Sequence, residues 1–177
     1  MDIRSIFQRF RIALLKRASD ERKIRYLRSQ GMKIGQHCHF NTMSFSTEPY
    51  LIELGDHVAI SAGTDLITHD GAVWCFREEE TNADVFGKII IGNNVFIGIN
   101  CTILPNTTIG NNCIIGAGSV VRGKFPDNVV IIGNPAQAVM KMSYQKFFYL
   151  QNPGLFKTHN MSDWNKAKIV KEHFVKK

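Results

Sequence analysis

Residues 91–121, IGNNVFIGINCTILPNTTIGNNCIIGAGSVV, repeat a pattern of six positions, and this repeat decides the fold. A β-branched aliphatic residue stands at every sixth position throughout the stretch. At 44% hydrophobic composition, six such positions would all be apolar by chance only about once in a hundred. A fixed short period of this kind indicates a repeat architecture. The six positions are Ile91, Ile97, Ile103, Ile109, Ile115 and Val121.

The other positions of the period are turn-prone or small. Glycine follows four of the first five aliphatic residues, and pairs of asparagine follow at 93–94 and 111–112. Because Gly and Asn tolerate positive φ, each period indicates a short strand and a turn. Slim residues such as Cys101 and Cys113 stand four positions after the aliphatic residue, where they fit a crowded corner. Such steps build a parallel β-helix in which three faces make one coil of about 18 residues.

The six-residue count is less regular before this stretch. Aliphatic residues keep the spacing from residue 54 to residue 66, and a slip of two residues between 46 and 52 separates them from the preceding part. The count stops over residues 71–88, directly after His69 and Asp70. A regular repeat that stops in this way predicts an excursion of the chain away from the β-helix.

Composition and charge limit the class of protein. The length of 177 residues suits one domain, and no stretch approaches the roughly 18 apolar residues of a membrane helix. The first residues, MDIRSIFQRFRIALLKR, have charges among the apolar residues, unlike a signal peptide, so we predict a cytoplasmic protein. The four cysteines show no CxxC spacing, and we predict no metal site.

Charge is unevenly distributed along the chain. Residues 1–33 hold ten Lys/Arg and three Asp/Glu, giving +7; residues 34–140 hold four and ten, giving −6; residues 141–177 hold eight and two, giving +6. Basic flanks can touch nucleic acid or an anionic membrane surface. These basic residues lack interleaved aromatic stacking partners, which favours solvated helix faces, so we predict no nucleic-acid partner and at most a peripheral membrane contact.

The stretch IGNNVFIGINCTILPNTTIGNNCIIGAGSVVRGKFPDNVVIIGNPA resembles the hexapeptide-repeat acyltransferases, which have a left-handed parallel β-helix. The order THDG, excursion, IIIGNNVFIG is similar to the sugar O-acetyltransferases, including galactoside and maltose acetyltransferases and enzymes that acetylate surface polysaccharides. The resemblance covers about residues 31–140. It implies an all-β fold with a left-handed parallel β-helix of hexapeptide repeats over 31–135 and an excursion at 71–88.

The flanking segments are predicted to be helical. Apolar residues recur through residues 3–29, and we expect an N-terminal helical cap over the first coil within residues 1–30. Residues 136–177 are expected to form a C-terminal helical segment, with a helix over 136–150 sealing the other end of the β-helix. Ser162 is placed to N-cap a final helix.

The resemblance implies that a homotrimer transfers an acetyl group from acetyl-CoA to a hydroxyl of a sugar or surface polysaccharide precursor. His69 stands where the family has its general base, and an imidazole suits removal of a proton from an attacking hydroxyl. Which acid orients the imidazole stays open among Asp70, residues 78–80 and Asp84.

The resemblance also implies binding residues. Acceptor contacts fall on Asn41 and Glu48, and on Trp74 and Arg77 of the excursion. The alternative is that the first two are ordinary turn residues and that the last two pin the loop to its neighbour. Backbone groups along the coils would hold the pantetheine arm of the donor, and cations would meet its phosphates. The residues implied for the donor are Gly98, Ile99, Ala117, Arg122, Lys124, Gln137 and Lys141.

Three other functions compete with O-acetylation. One is N-acetylation of an amino sugar or antibiotic, and another is a non-catalytic β-helix scaffold in which His69 has no role. The third, a γ-type carbonic anhydrase, needs three converging zinc ligands, and it is disfavoured because no histidine lies between His69 and His159.

Overall fold

The chain winds through three parallel sheets in turn, which we name A, B and C. The computed structural model describes residues 11–175, and the chain divides after Gln145 into two compact units. The first unit contains the three sheets. Its strands are β1 (Lys33–Ile34), β2 (His39–Phe40), β3 (Ile52–Leu54), β4 (Val58–Ile60), β5 (Asp65–Leu66), β6 (His69–Asp70), β7 (Val85–Phe86), β8 (Ile89–Ile91), β9 (Val95–Ile97), β10 (Thr102–Ile103), β11 (Thr107–Ile109), β12 (Cys113–Ile115), β13 (Val120–Val121), β14 (Lys124–Phe125), β15 (Val129–Gly133) and β16 (Ala136–Lys141).

Successive coils add one strand to each sheet. Sheet A has the order β1-β3-β8-β11-β14, sheet B the order β2-β4-β9-β12-β15-β16, and sheet C the order β5-β10-β13. In the regular part, paired residues are 18 positions apart, as in Ile97 with Ile115 and Ile103 with Val121. The predicted coil length is therefore confirmed. Leu66 pairs with Ile103, 37 positions later, because the excursion at 71–88 lies between these two coils.

The repeated aliphatic residues form the core inside the β-helix. All six predicted positions, from Ile91 to Val121, are no more than 2% exposed. The slim residues of the corners, including Cys101 and Cys113, are fully buried, as predicted. Burial raises the pKa of both thiols, which are free.

Asparagine and aspartate ladders hold the corner between sheets A and B. The Oδ1 atoms of Asp56, Asn93, Asn111 and Asp127 each accept a backbone N–H from the neighbouring coil, at 2.7–2.8 Å. The predicted turns at the asparagine pairs are confirmed, since the second asparagine of each pair has a φ near +55°. The position before the first asparagine pair requires glycine, because a Cβ on Gly92 would lie within 3 Å of the next coil's backbone.

The N-terminal helix α1 (Asp20–Ser29) packs on the first coil. Tyr26 and Leu27 join the hydrophobic core, and the buried Lys23 ammonium donates to the carbonyl oxygen of Phe40. The Asp20 carboxylate accepts the N–H of Phe40 at 3.0 Å. Residues 11–15 are also helical, whereas the part of the predicted cap at 1–10 lies outside the described residues.

The C-terminal prediction was wrong for residues 136–141. These residues form β16, which pairs antiparallel with β15 after the turn at 134–135. The last strand of sheet B would otherwise leave unpaired backbone groups at its edge, and this pairing satisfies them. The helix over the following residues is confirmed as α2 (Met142–Leu150). Its sealing role stays a prediction.

The second unit, residues 146–177, contains α3 (Asp163–Phe174). The predicted N-cap is confirmed, because Ser162 Oγ accepts the N–H of Asn165 at 3.3 Å. Phe156 packs against the rings of His173 and Phe174, with centroids 5.0 and 6.2 Å apart.

We predict that Cys101→Arg prevents folding, whereas Cys75→Arg does not. Cys101 is fully buried at a corner, and an unpaired arginine there costs several kcal/mol in desolvation alone. Cys75 is exposed on the excursion and serves as the matched control. Soluble yield and thermal unfolding followed by circular dichroism give the result; a folded Cys101→Arg protein would contradict the packing described.

Candidate active site

Both departures from the six-residue count fall on one corner of the β-helix. This corner joins sheet C to sheet A, and we name it the C–A corner. Its two long segments hold Glu48 and His69, which belong to neighbouring coils. Extra residues at this one corner therefore build a polar site on an otherwise regular stack. The segments in successive coils are 46–51, 67–88, 104–106 and 122–123.

His69 is held from the coil beside it and open on its other side. Its strand β6 pairs antiparallel with β7, which places Phe86 opposite, with ring centroids 6.5 Å apart. Imidazole Nδ1 lies 2.9 Å from Oε2 of Glu48 and 3.3 Å from Oγ of Ser46. The His69 side chain is 46% exposed, whereas that of Glu48 is only 13% exposed.

Glu48 carries a stabilised negative charge. Burial of the carboxyl alone would raise its pKa. Hydrogen bonds from Thr47, His69 and Thr68 outweigh this effect. With a further bond from Ser46, they lower the pKa from 4.5 to about 2. Thr68 Oγ1 lies 2.8 Å from Oε2, and Ser46 Oγ lies 3.2 Å from it.

The ionised carboxylate fixes which nitrogen of His69 carries the proton. A carboxylate only accepts, so in the neutral imidazole Nδ1 donates to Glu48. Nε2 then keeps its lone pair, and it makes no hydrogen bond within residues 11–175. The sequence offered Asp70, residues 78–80 and Asp84 as the acid that faces the imidazole, and all of these were wrong: Glu48 of the neighbouring coil stands there. The arrangement can supply a general base.

Asp70 joins the start of the excursion to a later coil. Its Oδ2 lies 3.0 Å from Nη2 of Arg122, and its Oδ1 accepts the N–H of Ala72 at 3.0 Å. The second bond caps the 3₁₀ segment Gly71–Phe76. The Ala72 N–H and the Arg122 guanidinium together lower the pKa of Asp70.

The two predicted acceptor residues of the excursion differ in their surroundings. Trp74 is 80% exposed. Arg77 bonds within the excursion, donating to the carbonyl oxygen of Ala83 and lying 3.5 Å from Asp84 Oδ1. Arg77 therefore fixes the shape of the excursion, and a contact of either residue with an acceptor stays a prediction.

Three of the predicted donor residues lie together on another corner, between sheets B and C, which we name the B–C corner. Gly98 and Ile99 follow β9, and Ala117 follows β12 one coil later. A Cβ on Gly98 would lie 2.6 Å from the backbone nitrogen of Ala117, so the coils approach closely here. The Gly118 N–H donates to the carbonyl oxygen of Ile99 at 2.9 Å.

The other predicted donor residues are dispersed. Gln137 pairs with Ile132, near the B–C corner, whereas Lys141 lies at the opposite end of β16, about 13 Å along the strand. Lys124 begins β14 in sheet A. Arg122 lies on the C–A corner with Asp70. The structure thus brings Gln137 towards the donor residues of the B–C corner. It does not bring Lys141 or Lys124 there.

Asn41 lies on the B–C corner of the first coil. Its N–H donates to the carbonyl oxygen of Ile60 at 2.8 Å. The residue lines a cavity of about 510 Å³ together with Lys16, Ser44 and Asp65. Asn41 is thus separated from His69 by the width of sheet C.

Sequence reasoning missed the hydroxyls around Glu48, namely those of Ser46, Thr47 and Thr68. The available signal was the slip in the repeat between 46 and 52, because residues added at a corner leave the regular coil. The closeness of Ser46 and Glu48 in the sequence did not indicate that Glu48 meets His69, because that contact forms between two coils.

Within residues 11–175, no helix combines the length and the apolar character that crossing a bilayer requires. Over the same range, no three His, Cys, Asp or Glu side chains are grouped as metal ligands.

Comparison with known proteins gives a consistent family. A model of the bacterial transferase hexapeptide family (six repeats) matches residues 88–123. Protein CapG of Staphylococcus aureus is 46% identical over 161 residues, covering 89% of this chain and 90% of its own. Galactoside O-acetyltransferase of Escherichia coli (strain K12) is 31% identical over 121 residues, covering 67% of this chain and 59% of its own.

A solved structure of a galactoside acetyltransferase in complex with coenzyme A has a similar fold. The TM-score is 0.59 at 22% identity, and the match covers 89% of this chain and 90% of that one. At this sequence identity, the comparison shows that the two chains share a fold.

We predict that the stability contributed by Glu48 is lost in acid. Its pKa in the folded state lies below the ordinary value, so the contribution is fully present above pH 4.5 and declines as the pH falls towards 2. After allowance for solvent screening at this accessible corner, the contribution is about 1–2 kcal/mol at neutral pH. Chemical denaturation of wild type and Glu48→Gln at pH 7, 4.5 and 3, at one protein concentration, should show a difference in unfolding free energy that shrinks in that order.

The control is Glu79→Gln, which removes an exposed carboxylate of the excursion. It should leave the free energy of unfolding within about 0.5 kcal/mol of wild type at each pH. A difference between wild type and Glu48→Gln that is the same at pH 7 and pH 3 would contradict the assigned pKa.

Proposed function

The chain belongs to the bacterial hexapeptide-repeat transferase family, and from this membership and the C–A corner we propose that it is an acetyl-CoA-dependent O-acetyltransferase acting on a sugar or surface glycan precursor. The relative named galactoside O-acetyltransferase supports a sugar acceptor, and the coenzyme A complex of the similar structure supports the donor. One observation carries the proposal: Glu48 holds Nδ1 of His69 at 2.9 Å, which leaves Nε2 as a base at an exposed edge.

His69 acts as general base in this reaction. Nε2 takes the proton of the acceptor hydroxyl as its oxygen attacks the thioester carbonyl carbon. The tetrahedral intermediate collapses with cleavage of the C–S bond, and the imidazolium returns the proton to the departing thiolate. The acetyl group is then an ester of the acceptor, and coenzyme A leaves as the thiol.

Glu48 supports both halves of the cycle. Before attack, its carboxylate keeps the proton on Nδ1, so Nε2 is the basic nitrogen. During attack, the same carboxylate faces the imidazolium and stabilises its charge. The low pKa of Glu48, about 2, keeps the carboxylate ionised while the histidine is charged.

Donor and base lie on different corners of one chain, and this supports the proposed homotrimer. Gly98, Ile99 and Ala117 are candidates for the backbone that holds the pantetheine arm, and they lie on the B–C corner. Sheet C separates that corner from His69 by five or so residues, about 16 Å. A ring of three copies with heterologous contacts would bring the B–C corner of one copy beside the C–A corner of the next.

The excursion supports the same arrangement. Its large apolar side chains are exposed, among them Trp74, Phe76 and Phe86, and such a patch beside His69 fits a neighbouring copy with an acceptor between them. We assign the acceptor contact to the exposed Trp74 and the donor contact to Gln137. Glu48 and Arg77 are bonded within the chain instead, Asn41 lies across sheet C from His69, and Lys124 and Lys141 lie away from the donor group at the B–C corner. The left-handed coil sense is part of the proposal, on the basis of family membership.

The test combines donor binding with turnover. Calorimetric titration of acetyl-CoA into the purified protein should give about one site per chain, with a solution mass of three chains. His69→Ala should keep donor binding and lose about 10²–10⁴ in kcat towards a sugar acceptor, because it removes a general base. His159→Ala, an exposed histidine of the second unit, is the matched control and should behave as wild type.

The product separates the competing functions. A sugar ester is cleaved by alkaline hydroxylamine, whereas an amide survives, so the stability of the transferred acetyl group distinguishes O- from N-acetylation. No donor binding at millimolar acetyl-CoA would refute the proposal in favour of a scaffold. Full activity of His69→Ala would refute the assigned base.

A further inference from the structure

Arg122 is bound to the base of the excursion. It occupies the C–A corner two coils after His69, and its Nη2 lies 3.0 Å from Oδ2 of Asp70. Its positive charge is therefore matched by a carboxylate within the chain. The Asp70 carboxylate is already held in position for this contact, because its other oxygen accepts the N–H of Ala72 at 3.0 Å.

The position of Asp70 determines the position of His69. The two residues form β6, whose register against β7 sets His69 opposite Phe86 and Asp70 opposite Val85. The excursion closes just beyond, where the Gly87 N–H donates to the carbonyl oxygen of Thr68 at 2.8 Å. An anchor on Asp70 therefore acts on the two-residue strand that presents His69 to Glu48.

We propose that Arg122 is a positioning residue: its ion pair with Asp70, which we name the clasp, closes the excursion beside His69 and keeps the imidazole in its working position. The inference rests on the proposed acetyltransferase function. It assigns Arg122 a different task from the donor-phosphate contact suggested by sequence resemblance, and the two tasks give opposite kinetic results.

The variants are chosen to remove only the clasp. Asp70→Asn keeps an oxygen that can accept the Ala72 N–H, so the cap of the 3₁₀ segment is retained while the charge is lost. Arg122→Gln removes the other charge. Arg122→Lys keeps a cation that can reach Asp70. Lys33→Gln, which breaks an exposed ion pair with Glu53 of 3.1 Å in sheet A, is the control.

Two donors distinguish positioning from phosphate binding. S-Acetylpantetheine has the same thioester as acetyl-CoA but lacks the nucleotide phosphates. If the clasp positions His69, Asp70→Asn and Arg122→Gln each lower kcat by about two- to fivefold with both donors and leave KM unchanged. This magnitude is expected for the loss of one exposed ion pair. The double variant loses no more than either single variant, and Arg122→Lys recovers most of the loss.

The opposite pattern would overturn the proposal. If Arg122 instead binds the donor, Arg122→Gln raises KM for acetyl-CoA alone, Asp70→Asn has little effect, and the two substitutions are additive. Equal kinetics of all variants and wild type would also overturn the proposal.

Hydrogen exchange tests the clasp without any turnover. Arg122→Gln and Asp70→Asn should both speed amide exchange over residues 70–87 by about two- to fivefold, while the β-helix and the Lys33→Gln control keep wild-type rates. Unchanged exchange over this range would refute the clasp even in an active enzyme. A protein with faster exchange in these variants but no acetyl transfer to any acceptor would retain the clasp and refute the proposed function.

Discussion

Hydrogen bonding between successive coils is the constraint on which the rest of the structure depends. The inner strands of the β-helix pair in parallel with strands of the coils before and after them, so an inward residue such as Ile97 lies directly between its equivalents, Ile60 and Ile115. A residue inserted within a strand would turn the following side chains to the wrong face. Additional residues are therefore tolerated only at the corners, and the candidate active site lies where they occur.

The candidate site illustrates this rule because it forms between coils and not within one. Glu48 and His69 are far apart along the chain, yet each lies on an added segment of the same corner, and stacking brings their side chains to 2.9 Å. The regular coils fix both segments at their ends. A partly buried, ionised Glu48 can then be held beside a half-exposed histidine, an arrangement that a flexible loop alone would not maintain.

The repeat made much of the molecule predictable. Strict spacing from Ile91 to Val121 predicted the coil, its core and its slim corners, and the stop in the count marked the excursion and His69. The partner of His69 was not predictable, since spacing along one chain does not tell which corner residues meet until the coil register is known. Residues 136–141 were misassigned because the unpaired edge of β15 outweighed the local tendency to form a helix.

Charge at the C–A corner is divided so that two acids beside one histidine do different work. Glu48 is partly buried, and its charge is stabilised chiefly by hydroxyl and imidazole donors, among them Nδ1 of His69. Asp70, which follows His69 in the chain, instead bonds with Arg122 and with the Ala72 N–H. The proposed clasp thus holds the short strand that carries His69, which links the closure of the excursion to the position of the imidazole beside Glu48.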